Sequence, residues 1–172
     1  QLRTHAQHNL NYVILIPTLR CDLACSYCQV SRANQNAKGY DWTKEIADKT
    51  INYLRENSEQ NLKVEFQGGE PTLRTDLLEY VIHKVSSVRE NATFVICTNL
   101  QNLTKELLYL IEKKQVTLSC SLDGPKEIHQ SNRTFKNHLT EQFFDNLDYI
   151  IENFGTDKIS LIPTISDYSK IN

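Results

Sequence analysis

The sequence predicts an α/β protein with a parallel sheet: an open or partial barrel of about five βα units. Two observations carry this. Short strand-like runs alternate with segments of helical periodicity along the whole chain. Polar, glycine-bearing or cysteine-bearing stretches follow directly after the strand-like runs, and in α/β barrels the strand C-termini carry the active site. Size supplies the limit. At 172 residues the chain is too short for a closed eight-unit barrel, which needs about 250.

The elements follow in order. Tyr12–Pro17 is β-branched and short, a buried strand. Over Thr43–Asn57 the residues Ile46, Ala47, Ile51 and Leu54 recur at helical spacing. Leu62–Gln67 is the second strand. Thr75–Arg89 is a helix with Leu77, Val81, Val85 and Val88 on one face and Thr75 as N-cap. Thr93–Thr98 is the third strand. Thr104–Lys114 is a helix capped by Thr104, and Val116–Ser121 is the fourth strand. Thr140–Phe154 aligns Phe143, Leu147, Ile150 and Phe154 and is closed by Gly155. Lys158–Pro163 is the fifth strand. Residues 1–11 read as a polar leader and 12–172 as one domain. That size buries roughly 70% of the surface an unfolded chain exposes.

Composition narrows the function classes. Lys and Arg number 19 against 21 Asp and Glu, a net charge of −2 with no basic stripe, which argues against nucleic acid as a partner. Apolar runs such as Val13–Ile16 are short, so no membrane-spanning segment is expected. The start lacks a secretory apolar region, and five cysteines fit a disulfide framework poorly. The expected setting is a reducing cytoplasm. The chain has no Met and begins at Gln1, and it reads as a piece of a longer protein.

Cys21-Asp-Leu-Ala-Cys25-Ser-Tyr-Cys28 has the spacing C-x3-C-x2-C. Three thiolates on one loop suit three irons of a [4Fe–4S] cube and leave the fourth iron open to a small molecule. A zinc site needs a fourth ligand, with His5 and His8 as the nearest candidates. Gln67-Gly68-Gly69-Glu70-Pro71 follows the second strand. Its glycines permit close approach to the backbone, and Glu70 offers a carboxylate to an ammonium group; an ordinary turn with a solvated Glu is the alternative. Ser121 and Asp123 share parity at the end of strand four, facing a pocket if Cys120 faces the helices. Arg133 suits a carboxylate, against the alternative of a surface Arg. Cys97 and Cys120 read as small buried hydrophobes within strands.

The three-cysteine spacing with Tyr27 before the last Cys resembles the signature of the radical S-adenosylmethionine superfamily. Phe66–Leu73 (FQGGEPTL), Cys97–Asn99 (CTN) and Ser121–Arg133 (SLDGPKEIHQSNR) resemble its cofactor-contacting stretches. Together they are most similar to the peptide- and protein-maturase branch, which includes the anaerobic sulfatase-maturing enzymes. Thr18–Cys21 (TLRC), Tyr27–Arg32 (YCQVSR), Glu65–Pro71 (EFQGGEP) and Cys97–Leu100 (CTNL) resemble the maturases of the His-Xaa-Ser system. The resemblance covers about Tyr12 to Pro163.

The resemblance implies a partial (β/α)6 barrel, here truncated after about five βα units, with a [4Fe–4S] cluster and S-adenosylmethionine as cofactors. Cys21, Cys25 and Cys28 would ligate the cluster. Gln67, Gly68, Gly69 and Glu70 would hold the methionine amine. Ser121 and Arg133 would serve its carboxylate or ribose, Asn99 the ribose side, and Tyr27 would pack by the adenine, with Asp123 also among the cofactor-binding residues. Such an enzyme cleaves S-adenosylmethionine reductively and abstracts hydrogen from a peptide or protein side chain, with flavodoxin or ferredoxin as electron donor. The alternative is a non-catalytic iron–sulfur or zinc module. Many relatives carry Gly where this chain has Leu100. The usual sixth strand and a cysteine-rich C-terminal domain are also missing, so slow, uncoupled cofactor cleavage is expected of this chain alone.

Overall fold

A computed structural model describes residues 9–113 and 115–165. Most of the predicted leader, His5 and His8, Lys114 and the last seven residues lie outside them. The chain forms β1 (Leu10–Thr18), β2 (Arg20–Cys21), β3 (Ala33–Asn34), α1 (Lys44–Asn57), β4 (Ser58–Gly68), α2 (Thr75–Ser86) and β5 (Thr93–Thr98). Then follow α3 (Lys105–Glu112), β6 (Val116–Ser121), α4 (Lys126–His129), α5 (Asn137–Phe154) and β7 (Ile159–Ile162). A five-stranded parallel sheet has the order β1-β4-β5-β6-β7, and β2 pairs with β3 in a small second sheet. The sequential order of neighbours is what one-directional βα crossovers give.

The helices cover one face. Val64, Phe66, Phe94, Ile96, Leu118 and Cys120 are buried against Ile51, Leu54, Leu78, Val81, Leu107 and Phe143. Phe66 and Phe94 stack with centroids 6.4 Å apart. Each such buried side chain contributes about 1.5–3 kcal/mol. The other face is open: Tyr12, Ile14 and Ile16 are 43%, 47% and 40% exposed. Helices on one face and an open inner face make a partial barrel.

Local chemistry sets the helix ends. Thr43 accepts from Ile46 N and starts α1, and Thr104 accepts from Leu107 N and starts α3. Gly155, at φ 89°, closes α5. Thr75 is not a cap. A 3-10 turn at Pro71–Arg74 runs straight into α2, and the cap of that turn is the Glu70 side chain. No helix among the described residues is long and apolar enough to cross a membrane.

Candidate cofactor site at the strand ends

β1 ends at Thr18, and the loop carrying the three clustered cysteines is closed at its base by β2 and β3. Asp41 locks this base. It accepts from Thr18 Oγ1 (2.6 Å), Arg20 Nε and Nη2 (2.7 and 2.8 Å) and Arg74 Nη1 (3.1 Å). Desolvation pushes its carboxyl up, but the Arg20 and Thr18 donors outweigh it and hold Asp41 below its usual value. Cys21 is buried, Cys25 half-buried and Cys28 exposed, and all three line one cleft of about 360 Å³. Burial pushes the Cys21 thiol up to about 12. A bound cation reverses such a shift. Among the described residues the thiols are not drawn into a closed metal-binding group.

The glycines after β4 serve the cysteine loop directly. Gly69 N donates to Thr18 O (3.1 Å), and Glu70 N donates to Arg20 O (2.8 Å). A Cβ on Gly68, at φ 139°, would lie 2.2 Å from Thr18 O, and one on Gly69 2.2 Å from Arg20 O. The close approach is therefore between two backbones, and it seats the loop on the end of β4. Glu70 is 1% exposed, so the solvated-Glu alternative fails. Its Oε1 accepts from Thr72 N, Thr72 Oγ1 and Thr98 Oγ1, and its Oε2 from Asn99 N (2.7 Å). Burial pushes it up to about 7, and the Asn99 and Thr72 donors pull the other way. Among the described residues Oε1 accepts three donors and Oε2 one.

At the end of β5, Asn99 Nδ2 donates to Asp22 Oδ1, and Asn102 Nδ2 to Asp22 Oδ2, both at 2.7 Å. Asp22 lies inside the cysteine motif, so these bonds tie the loop to β5. Leu100 adopts φ 56°, the left-handed turn glycine would make freely, while its side chain is fully buried.

After β6, Tyr27 Oη donates to Asp123 Oδ2 (2.7 Å) and Oδ1 (2.9 Å), and Ser26 N donates to Asn132 O (2.9 Å). Burial and the Asp123 bond push the Tyr27 phenol up to about 12. Arg133 is 7% exposed, not a surface residue. It sits in a π-helical turn, Gln130–Thr134, that continues α4. Its Nη1 donates to Tyr27 Oη and its guanidinium lies 5.8 Å from the ring centroid. Its Nε is buried with no partner among the described residues. His129, on the preceding turn, packs 4.2 Å from Phe143, and burial pushes it down to about 4.

All twelve residues singled out by sequence converge at these strand ends. All but Asp123 line the same cleft, and Asp123 reaches it through Tyr27. Cys120 faces the helices, leaving Ser121 on the cleft side. Cys97 departs from the expectation: it lines the cleft and donates to Glu65 Oε1 (3.2 Å). Its neighbour Thr98, not Cys97, is paired with buried Cys120, so Cys97 takes the open face. Sequence reasoning also missed Asp41 and Asp22, whose partners are far away in the chain. A groove of about 480 Å³ on the outer side is lined from α2, α3 and the turn after it and holds no strand-end motif.

The site fits the cofactors that the resemblance implies. Three thiols share the cleft, and the unpartnered Nε of Arg133 is a buried donor that a carboxylate would satisfy.

Comparisons with known proteins agree. The Radical SAM superfamily profile matches residues 15–169. An uncharacterized protein of Methanothermobacter thermautotrophicus is 27% identical over 92% of this chain and 58% of its own length. A cysteine-type anaerobic sulfatase-maturating enzyme of Clostridium novyi is 27% identical over 73% of this chain and 35% of its own. A 7,8-dihydro-6-hydroxymethylpterin dimethyltransferase of Methanocaldococcus jannaschii is 30% identical over 86% of this chain and 29% of its own. The structure of anSMEcpe with bound AdoMet and a peptide superposes with a TM-score of 0.71 at 18% identity, covering 88% of this chain and 42% of that one. The chain thus spans 29% to 58% of the length of these relatives. Its family cofactors are a [4Fe–4S] cluster and S-adenosylmethionine, and the chain belongs to the radical SAM superfamily.

Proposed function

We propose that the chain is the cofactor-binding part of a radical enzyme that matures a peptide or protein. The observation that carries this is the convergence of four strand ends on one cleft, lined by three thiols and by Arg133, whose buried Nε has no partner among the described residues. Cys21, Cys25 and Cys28 would hold the cluster. Arg133 would take the methionine carboxylate and Glu70 Oε2 its ammonium, with Gln67, Gly68 and Gly69 alongside. Asn99 and Ser121 would meet the ribose. Tyr27, held by Asp123, would border the adenine. Bound there, cluster and S-adenosylmethionine would supply one-electron radical chemistry able to take a hydrogen atom from carbon. The protein's part is to fix the geometry and keep water out.

Superfamily membership alone leaves the substrate open, since one relative is a pterin dimethyltransferase. The sulfatase-maturating relative and the neighbour with a bound peptide support a peptide or protein side chain. A flavodoxin or ferredoxin would supply the electron in a reducing, cytoplasmic setting. The test is anaerobic reconstitution, reduction, and assay for 5′-deoxyadenosine, with a perdeuterated candidate peptide present. Formation of 5′-deoxyadenosine supports the radical reading, and deuterium carried into it supports the peptide as substrate. Loading of iron without cofactor cleavage would instead mark a non-catalytic module.

A further inference from the structure

The open face of the sheet carries a carboxylate that the strand-end motifs do not use. Glu65 lies two residues before Gln67 on β4, in the register row Ile14, Glu65, Val95 and Thr117, and it lines the same cleft as the cysteines. Its hydrogen-bond partners are neutral. Tyr12 Oη donates to Oε2 (2.9 Å), while Gln67 Nε2 (2.5 Å) and the Cys97 thiol (3.2 Å) donate to Oε1. Desolvation works against its charge, yet these donors hold the carboxyl below its ordinary value, so it is ionised at neutral pH.

Other acids around the site are matched or enclosed. Asp41 pairs with Arg20 and Arg74, Asp22 is held by the Asn99 and Asn102 amides and Asp123 by Tyr27, and Glu70, buried, already belongs to the cofactor reading. Glu65 forms no ion pair among the described residues. Lys63, on the same face, lies 5.5 Å from the centroid of the Tyr12 ring and favours the Glu65 charge from a distance without pairing with it. A carboxylate with no directly paired cation, facing a cleft, can accept one from a ligand. Beside it, Ile14 and Ile16 on β1 present exposed aliphatic surface. A long basic side chain matches both features, with an apolar stem to lie along the isoleucines and a charged end to reach the carboxylate.

We propose that Glu65 is a specificity-determining residue that receives the ammonium or guanidinium end of a lysine or arginine on the substrate peptide. The proposal rests on the peptide reading above and names the class of peptide. The reconstituted protein with S-adenosylmethionine is titrated against two fluorescein-labelled peptides, identical except for a central lysine or norleucine. The lysine peptide is expected to bind roughly ten-fold tighter or more, the worth of one charged hydrogen bond. In Glu65→Gln that preference should vanish while iron content and S-adenosylmethionine affinity stay unchanged. Equal binding of the two peptides by the unaltered protein, including binding of neither, overturns the proposal. So does a preference that survives in Glu65→Gln, or a variant that loses the cofactor instead. If the reaction assignment alone is wrong, the lysine preference persists but no deuterium leaves the peptide.

Discussion

The phenol of Tyr27 donates to the carboxylate of Asp123 at 2.7 Å across 96 residues, joining the cysteine loop to the segment after β6. Arg133 completes the join by donating to the same phenol oxygen. The cluster side and the proposed carboxylate side of the site are therefore one hydrogen-bonded unit. Tyr27→Phe should cost about 1–3 kcal/mol, because Asp123 loses its nearest donor in a half-buried place. The larger effect should fall on the site: S-adenosylmethionine should bind the reconstituted variant about ten-fold more weakly. Titration calorimetry on both proteins checks this, and unchanged affinity would show that the bond only braces the fold.

Glu70 accepts four protein donors, two of them backbone N–H groups. In Glu70→Gln one carboxylate oxygen becomes an NH2 group, which would face a donor whichever way the amide turns. Stability should fall by about 1–3 kcal/mol even without cofactor. Denaturant unfolding of the apo-protein measures it.

Gly69 leaves no room for a side chain, since an added Cβ would lie 2.2 Å from Arg20 O and 2.6 Å from Leu19 O. Both obstacles are backbone of the cysteine loop, so Gly69→Ala must displace that loop. The expected cost is about 1–3 kcal/mol, with reduced iron loading per chain.

Asp41 carries a pH signature. Desolvation opposes its charge, but Arg20, Thr18 and Arg74 hold its folded-state acidity below the ordinary carboxylate value of about 3.9. A depressed acid stabilises the fold above its unfolded value, and that contribution is lost as pH falls through the folded one. Asp41→Asn should therefore lower the melting temperature at pH 7, and the gap between the two proteins should close below about pH 4. A gap independent of pH would assign the effect to packing.

Much of this was legible in the sequence, because strand and helix periods, and the cap Thr104, are local properties. The helix starts at Thr75 as the sequence predicts, but Thr75 is not its cap, because the turn at Pro71–Arg74 continues into α2 without a break. The convergence of the motifs was legible for a topological reason: every parallel strand delivers its C-terminal end to the same edge. What joins them was not. Asp41 meets Arg20 across 21 residues and Asn99 meets Asp22 across 77, and nothing in local pattern pairs such residues. Cys97 and Cys120 look alike in sequence, and only the pairing of Thr98 with Cys120 puts them on opposite faces.

The central claim is that Cys21, Cys25 and Cys28, and no other cysteine, hold an iron–sulfur cluster in the cleft. Anaerobic reconstitution of the five single Cys→Ala variants, read by iron content and cluster absorption, tests it most directly. Cys21→Ala, Cys25→Ala and Cys28→Ala should each lose the cluster, while Cys97→Ala and Cys120→Ala load it as the unaltered protein does. A cluster that survives loss of Cys25, or one that depends on Cys97, would contradict the account.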